Sequence, residues 1–257
     1  MPRPTPSRRQ HARPGGADFR ARQDAHFAGA DAAHFCWTTS DPGFAPVEDA
    51  LLAPYLPLLD PPCLEVGCGE GTNLTRLVRS GTPVGVDRSM AKARFAARAV
   101  PGARLLAADA TALPFPTATF ASVFVRDLLH HLENPVLALA EAGRVLRPGG
   151  TLVLLEPNGR NPLIRLQAVL VAAERGSRRF SPDYLRALLA PLPFARARFD
   201  VAQAFPLRRL LLHYRFGLPA LGRRPVAARF LAALEALAAR IVPPTRWSYL
   251  VAIATRA

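Results

Sequence analysis

Five short apolar runs recur in this chain, and each is closed by a glycine or a charged residue. They are 63–66 before Gly67, 83–86 before Asp87, 104–108 before Asp109, 120–125 before Arg126-Asp127, and 151–155 before Glu156. Between them lie segments with helical spacing: 72–80 with Leu74, Leu77 and Val78, 89–100 with Ser89 as its cap, and 134–146, ended by Pro148-Gly149-Gly150. Strands alternating with helices predict an α/β chain built on a parallel sheet, and the near-continuous apolar run at 120–125 suits a central strand. Ligands of such sheets bind outside the carboxyl ends of the strands. The loops carrying Gly67, Asp87, Asp109, Asp127 and Glu156 all fall on that edge.

The first of these loops reads LEVGCGEG over 64–71, with Gly67, Gly69 and Gly71 at alternate positions. A strand running into such a loop lets the backbone approach a ligand where a side chain would collide. Glu65 is a poor neighbour for a pyrophosphate and suits a cationic ligand, or one rich in amino and hydroxyl donors. Thr72 stands where the third glycine of a dinucleotide fingerprint would fall.

Charge and cysteine usage narrow the setting. The 257 residues carry 33 basic and 19 acidic side chains, a net charge of +14, with Lys92 the single lysine. Such a surface attracts polyanions or anionic lipid, although no clustered basic stripe is evident. Cys36, Cys63 and Cys68 are odd in number and lack a C-x-x-C spacing, which argues against a disulfide framework or a zinc site. Reduced thiols in a cytoplasmic protein are the expectation, with no metal. Residues 1–16 are rich in Arg and Pro without an apolar segment, unlike a secretory signal or an anchor. No run approaches the roughly eighteen apolar residues that span a bilayer.

Five blocks together resemble the class I S-adenosylmethionine-dependent methyltransferases, in the broad small-molecule group of the ubiquinone/menaquinone-biosynthesis and Methyltransf-11 type. They are LEVGCGEG (64–71), VGVD (84–87), AADATALPFPTATFASVF (107–124), LLHHLENP (128–135) and RVLRPGGTLVLLEP (144–157), in the family's order and at its spacing. The resemblance implies a Rossmann-like seven-stranded mixed sheet with an antiparallel last strand, for which 247–254 is the candidate. It implies S-adenosyl-L-methionine as cofactor. Gly67, Cys68, Gly69 and Gly71 would wrap its methionine part, and Glu65 would help orient the ammonium. Asp87 would take the ribose hydroxyls. Asp109 would accept from the adenine amine, Ala110 would offer its N–H, and Arg88 and Phe115 would flank the ring. Arg126 is placed with the same group.

On this reading 1–24 is a disordered tail and 25–257 one methyltransferase domain. Its cofactor-binding core is 62–157, its acceptor-side helices and amphipathic insert are 158–244, and its last strand lies in 245–257. The insert, at 205–244 between the last two strands, contains arginine-laced amphipathic stretches at 207–216 and 226–242. Phe230, Leu234, Leu237 and Ile241 share one face of the second. A lid packed on the sheet is the favoured expectation, with a peripheral membrane contact or a dimer face as alternatives.

Methyl transfer needs an acceptor lone pair in line with an already activated sulfonium, so positioning supplies much of the rate. Where the acceptor must lose a proton, the candidates follow strand four. Asp127 and His131 stand at i and i+4 and would touch on a helical turn, the carboxylate fixing the imidazole tautomer, and His130 is the weaker alternative base. An Asp-x-x-x-His arrangement here also resembles that of the phosphoethanolamine methyltransferases. Glu156 would either bind the acceptor or cap the helix that follows it. Phe35 and Trp37 would either form a lid or pack in the core. The Asn/Asp-Pro-Pro-aromatic signature for base amines is absent, since Arg126-Asp127-Leu128-Leu129 stands there, and this counts against DNA or glutamine methylation. The charge leaves RNA open, but without a recognisable RNA-binding appendage nucleic acid is not the expected partner. The expected activity is methylation of an O or N atom on a small or lipid-like metabolite. An RNA methyltransferase and a non-catalytic scaffold are the alternatives.

Overall fold

The computed structural model describes residues 16–215 and 217–257. The helices are α1 (Gly16–His26), α2 (Ala32–Thr39), α3 (Ala45–Leu52), α4 (Leu74–Leu77), α5 (Met90–Ala99), α6 (Pro135–Val145), α7 (Pro162–Leu170), α8 (Pro182–Leu189), α9 (Leu207–Leu211), α10 (Pro219–Gly222) and α11 (Pro225–Ile241). The strands are β1 (Cys63–Val66), β2 (Val84–Asp87), β3 (Arg104–Ala107), β4 (Phe120–Arg126), β5 (Leu146–Pro157), β6 (Phe194–Ala202) and β7 (Tyr249–Arg256).

The strands form one seven-stranded sheet in the order β3-β2-β1-β4-β5-β7-β6. The first five are parallel, and β7 runs antiparallel to both β5 and β6. Strand order reverses between β1 and β4, the switch point where α/β sheets bind ligands. β4 explains the two-sided core. Val123 and Val125 pack with Leu152, Leu154 and Leu139 in one cluster, while Phe124 packs with Val153, Leu155 and Leu74 in another. Successive side chains of a strand point to opposite faces, so a strand covered on both sides reads as an unbroken apolar run.

Several expected boundaries moved. α1 is helical over Gly16–His26, which corrects the tail expected to run to Asp24; residues 1–15 of that tail lie outside the described residues. Its sequence, GADFRARQDAH, is polar nearly all round, so no apolar period marks it as a helix. The segment expected as a helix over 72–80 is α only at Leu74–Leu77 and then tightens to a 3₁₀ turn over Val78–Ser80. β6 is longer than the 199–201 core expected. It alternates Ala195, Ala197, Phe199 and Val201 with Arg196, Arg198 and Asp200, and most of its residues are exposed at the sheet edge. The insert does lie between β6 and β7.

Candidate active site

Glu65 lies within β1, so the strand itself fixes where its carboxylate goes. It is buried, with one oxygen accepting from Asn73 Nδ2 at 2.6 Å. The other oxygen, Oε2, is buried without a hydrogen-bond partner. Burial pushes the group's pKa up to about 8, against the Asn73 bond and the Arg126 charge. An unpaired buried carboxylate oxygen is costly, which marks a place where a donor from outside completes the site.

The glycine loop follows directly. Gly67, Gly69 and Gly71 have φ of 78°, 53° and 85°, the left-handed region that other residues resist. The Gly67 and Cys68 N–H groups donate to Val86 O at 2.8 and 2.9 Å, which ties the loop to the end of β2. A Cβ on Gly69 would meet nothing within 4 Å, so the loop presents open backbone there. Cys68 is buried and its thiol is pushed well up by burial, a packing residue and not a nucleophile. Asp87 ends β2 with its carboxylate shaping this loop: Oδ2 accepts from Gly69 N–H at 2.9 Å and Oδ1 from Ser89 N–H at 2.8 Å. Each oxygen keeps a second lone pair for ligand hydroxyls. Asp109 follows β3, its Oδ1 accepting from the Thr111 N–H at 2.9 Å and hydroxyl at 2.7 Å, beside buried Ala110.

The segment 127–131 reaches the same loop, because a Cβ on Gly67 would lie 2.9 Å from the Leu128 side chain. The expected Asp127–His131 pair is not formed. Asp127 has φ 52° and is not helical, and Leu129–His131 is a single 3₁₀ turn, so the i,i+4 geometry never arises. Asp127 instead accepts from the Tyr249 hydroxyl at 3.0 Å and lies 3.3 Å from Arg126 Nε. His131 faces Glu174, 3.9 Å away, and packs edge-on against Phe27. Burial and the neighbouring His130 push its pKa well down, leaving a neutral imidazole at pH 7.

His130 is engaged by two carboxylates in this arrangement. It is fully buried, with Nδ1 2.7 Å from Glu156 and Nε2 3.4 Å from Glu174. Burial opposes its charge, but the Glu156 carboxylate overrides this and holds the ring protonated. Glu156 also accepts from the N–H groups of Leu128 at 2.9 Å, Leu129 at 2.7 Å and His130 at 3.3 Å. It therefore secures the turn after β4. Neither expected role holds, and Asn161 caps α7, the helix that follows, accepting from Leu163 and Ile164. Glu156→Ala strands these donors and a buried imidazolium, so unfolding stability should fall by about 3–5 kcal/mol, as read by denaturant titration.

Arg126 lies deeper than a ligand-contacting role suggests. It is buried, 2.8 Å from Glu48 and 3.2 Å from Asn73 Oδ1, so it joins Glu65's own partner. Burial would raise the Glu48 pKa, but Arg126 and Arg209 hold it down to about 2. The Tyr249 hydroxyl, 3.4 Å from Arg126 Nη2, accepts from Arg209 at 3.0 Å and links the insert to this cluster. Arg88 pairs with Asp24 and so holds α1. Trp37 stacks on Phe44 at 3.8 Å in the core, and Phe35 packs edge-on against Phe95. The cover over the loop comes from 27–31 instead. Lys92 sits over the Phe27 ring, Asp31 N–H donates to Glu70 at 3.0 Å, and Ser89 donates to Ala28 O at 3.2 Å. Composition gave no signal for Phe27, Glu48, Glu174, Arg209 or Tyr249, whose partners are distant in sequence. Ligand atoms of His130, His131 and Glu174 lie within 4.8 Å of one another, the group able to hold a metal among the described residues.

Residues 64–154 match the family model described as a methyltransferase domain. The chain carries a methyltransferase domain. An uncharacterized methyltransferase of Mycobacterium tuberculosis is 37% identical over 127 residues, 46% of this chain and 63% of that protein. A demethylmenaquinone methyltransferase of Renibacterium salmoninarum is 37% identical over 94 residues, 36% of this chain and 40% of that one. The chain thus spans less than two thirds of the length of these relatives. Among solved structures, phosphoethanolamine N-methyltransferase 2 of Haemonchus contortus, in complex with S-adenosyl-L-methionine, superposes with a TM-score of 0.66 at 16% identity, over 93% of this chain and 60% of that chain. This likeness shows the fold, a class I methyltransferase sheet with helices on both faces.

Proposed function

We propose that the protein transfers a methyl group from S-adenosyl-L-methionine to an O or N atom of a small, lipid-like metabolite. The observation that carries this is the buried, unpartnered Oε2 of Glu65 beside open backbone at Gly69, with Asp87 and Asp109 on the neighbouring strand ends. A ligand with an ammonium at one end and a nucleoside at the other satisfies all of these groups. Glu65 would receive the ammonium, Gly67 to Gly71 would pass along the methionine part, and Asp87 would accept from the ribose. Asp109 and Ala110 would meet the adenine. When bound, the cofactor supplies an activated methyl group.

On the acceptor side, Asp127 and His131 act as separate groups. Asp127, held by Tyr249, would bind a hydroxyl or amine of the acceptor. His131 is the candidate base by its place after β4 and its buried, unpartnered Nδ1; the lowered pKa makes it a weak base until an acceptor or the cofactor changes its surroundings. The quinone in the name of one relative favours an apolar acceptor, as does the insert over 205–244, which in this reading also touches a membrane surface.

Calorimetry with S-adenosylhomocysteine tests the cofactor assignment, and an absence of micromolar binding would remove it. A screen of metabolite extracts with labelled methyl donor would then identify the acceptor. With that acceptor in hand, His131→Ala should lower turnover about a hundredfold while cofactor affinity stays near wild type. Unchanged turnover would retire His131 as a base.

A further inference from the structure

α11 shows an apolar stripe turned to solvent. Val226, Phe230, Leu234, Leu237 and Ile241 follow one another at helical spacing, and all are exposed: Val226 by 82%, Phe230 by 61% and Ile241 by 72%. The expected lid, packed on the sheet through this face, is therefore not what the fold contains. The helix holds to the protein by another side, through buried Leu231 and through Glu235. That carboxylate accepts from the Arg208 N–H at 2.8 Å and pairs with Arg208 Nε at 2.5 Å. Glu235 is the only acid of α11, and it is spent inward. Arg229 and Arg240 are exposed and flank the stripe along one edge, with exposed Arg224 and Arg246 at the helix ends and Arg223 paired to Asp41 at 2.7 Å. The outer half of the helix is thus apolar and cationic with no negative charge of its own, on a chain of net charge +14.

We propose that this face of α11 docks on an anionic lipid bilayer. The stripe enters the headgroup boundary, and Arg229 and Arg240 meet lipid phosphates. An isolated apolar face would suit many partners, but an apolar centre with a purely basic margin is the pattern that anionic lipid completes. The inference deepens the membrane contact named in the function proposed above; it rests on the exposed stripe and its charges, and not on methyl transfer or on the identity of the acceptor.

Vesicle co-sedimentation of the full chain tests it, with phosphatidylcholine alone and phosphatidylcholine containing phosphatidylglycerol. Wild type should bind the anionic vesicles about tenfold or more tightly than the neutral ones, with the difference shrinking as salt is raised. The double variants Phe230→Ala/Ile241→Ala and Arg229→Glu/Arg240→Glu should each weaken that binding about tenfold, with melting temperature and S-adenosylhomocysteine affinity unchanged. Equal binding to both vesicles, binding to neither, or a dimer in solution that Phe230→Ala/Ile241→Ala dissolves would each overturn the proposal. Loss of S-adenosylhomocysteine binding with intact vesicle binding would sink the methyltransferase reading and leave this one standing.

Discussion

Asp87→Ala is expected to lower affinity for S-adenosylhomocysteine by about 10²–10⁴-fold. Two ribose hydroxyls would lose an ionised acceptor, and hydrogen bonds to charged groups contribute about 1.5–3 kcal/mol each. The same carboxylate also accepts from the Gly69 and Ser89 N–H groups, so its loss additionally loosens the glycine loop that must shape itself to the ligand. Asp87→Asn keeps the shape and one carbonyl oxygen, and should fall between wild type and alanine. Calorimetric titration reads both variants, and a thermal melt separates loss of affinity from loss of fold. An Asp87→Ala protein that binds within about threefold of wild type would place the nucleoside somewhere other than the end of β2.

The second large effect is a coupling between cofactor binding and pH through Glu65. In the free protein this carboxyl has its pKa raised from 4.5 to about 8 by burial. The native state therefore holds a proton that the unfolded chain has already released. Glu65 costs no stability below pH 4.5, and its contribution becomes steadily more unfavourable as pH rises from there toward 8. A cofactor ammonium reverses the preference, because it favours the carboxylate. Association near pH 7 should then release close to one proton, and affinity should rise about tenfold per pH unit between about 6 and 7.5. Calorimetry in buffers of different ionisation enthalpy measures the proton directly. Glu65→Gln should bind more weakly and lose the pH dependence. A wild-type affinity that is flat across this range, with no proton released, would show that Glu65 does not meet the ammonium.

The strands that build the site were legible because they are buried on both faces. Runs such as Phe120 to Val125 admit no other reading in a chain where helices alternate with them. Ser89 was legible as a cap for a local reason: its hydroxyl needs only the Lys92 N–H three residues on, at 3.3 Å. The ends of β1 to β5 share one edge because parallel strands in register deliver their carboxyl ends to the same side of the sheet. Asp127 and His131 failed as a pair because contact between them required a helical turn that the positive φ of Asp127 interrupts. β6 does carry a period of two, but its first half is weak because alanine at 195 and 197 supplies the apolar positions.

Local spacing and burial pattern were written in the chain itself: the alternating units, the glycine loop, and the acids that close each strand. Which carboxylate meets which partner was decided only by folding. Glu156 and His130, Asp127 and Tyr249, Glu48 and Arg209, and Glu174 and His131 are joined across 26 to 161 residues of chain. No periodicity carries such information, because a charged side chain looks alike in sequence whether it ends in water or in a buried pair. The same holds for α11. Its apolar stripe was plain from spacing, but whether that stripe faced the core or the solvent depended on where Leu231 and Glu235 found partners. That choice is a matter of packing, and packing exists only in three dimensions.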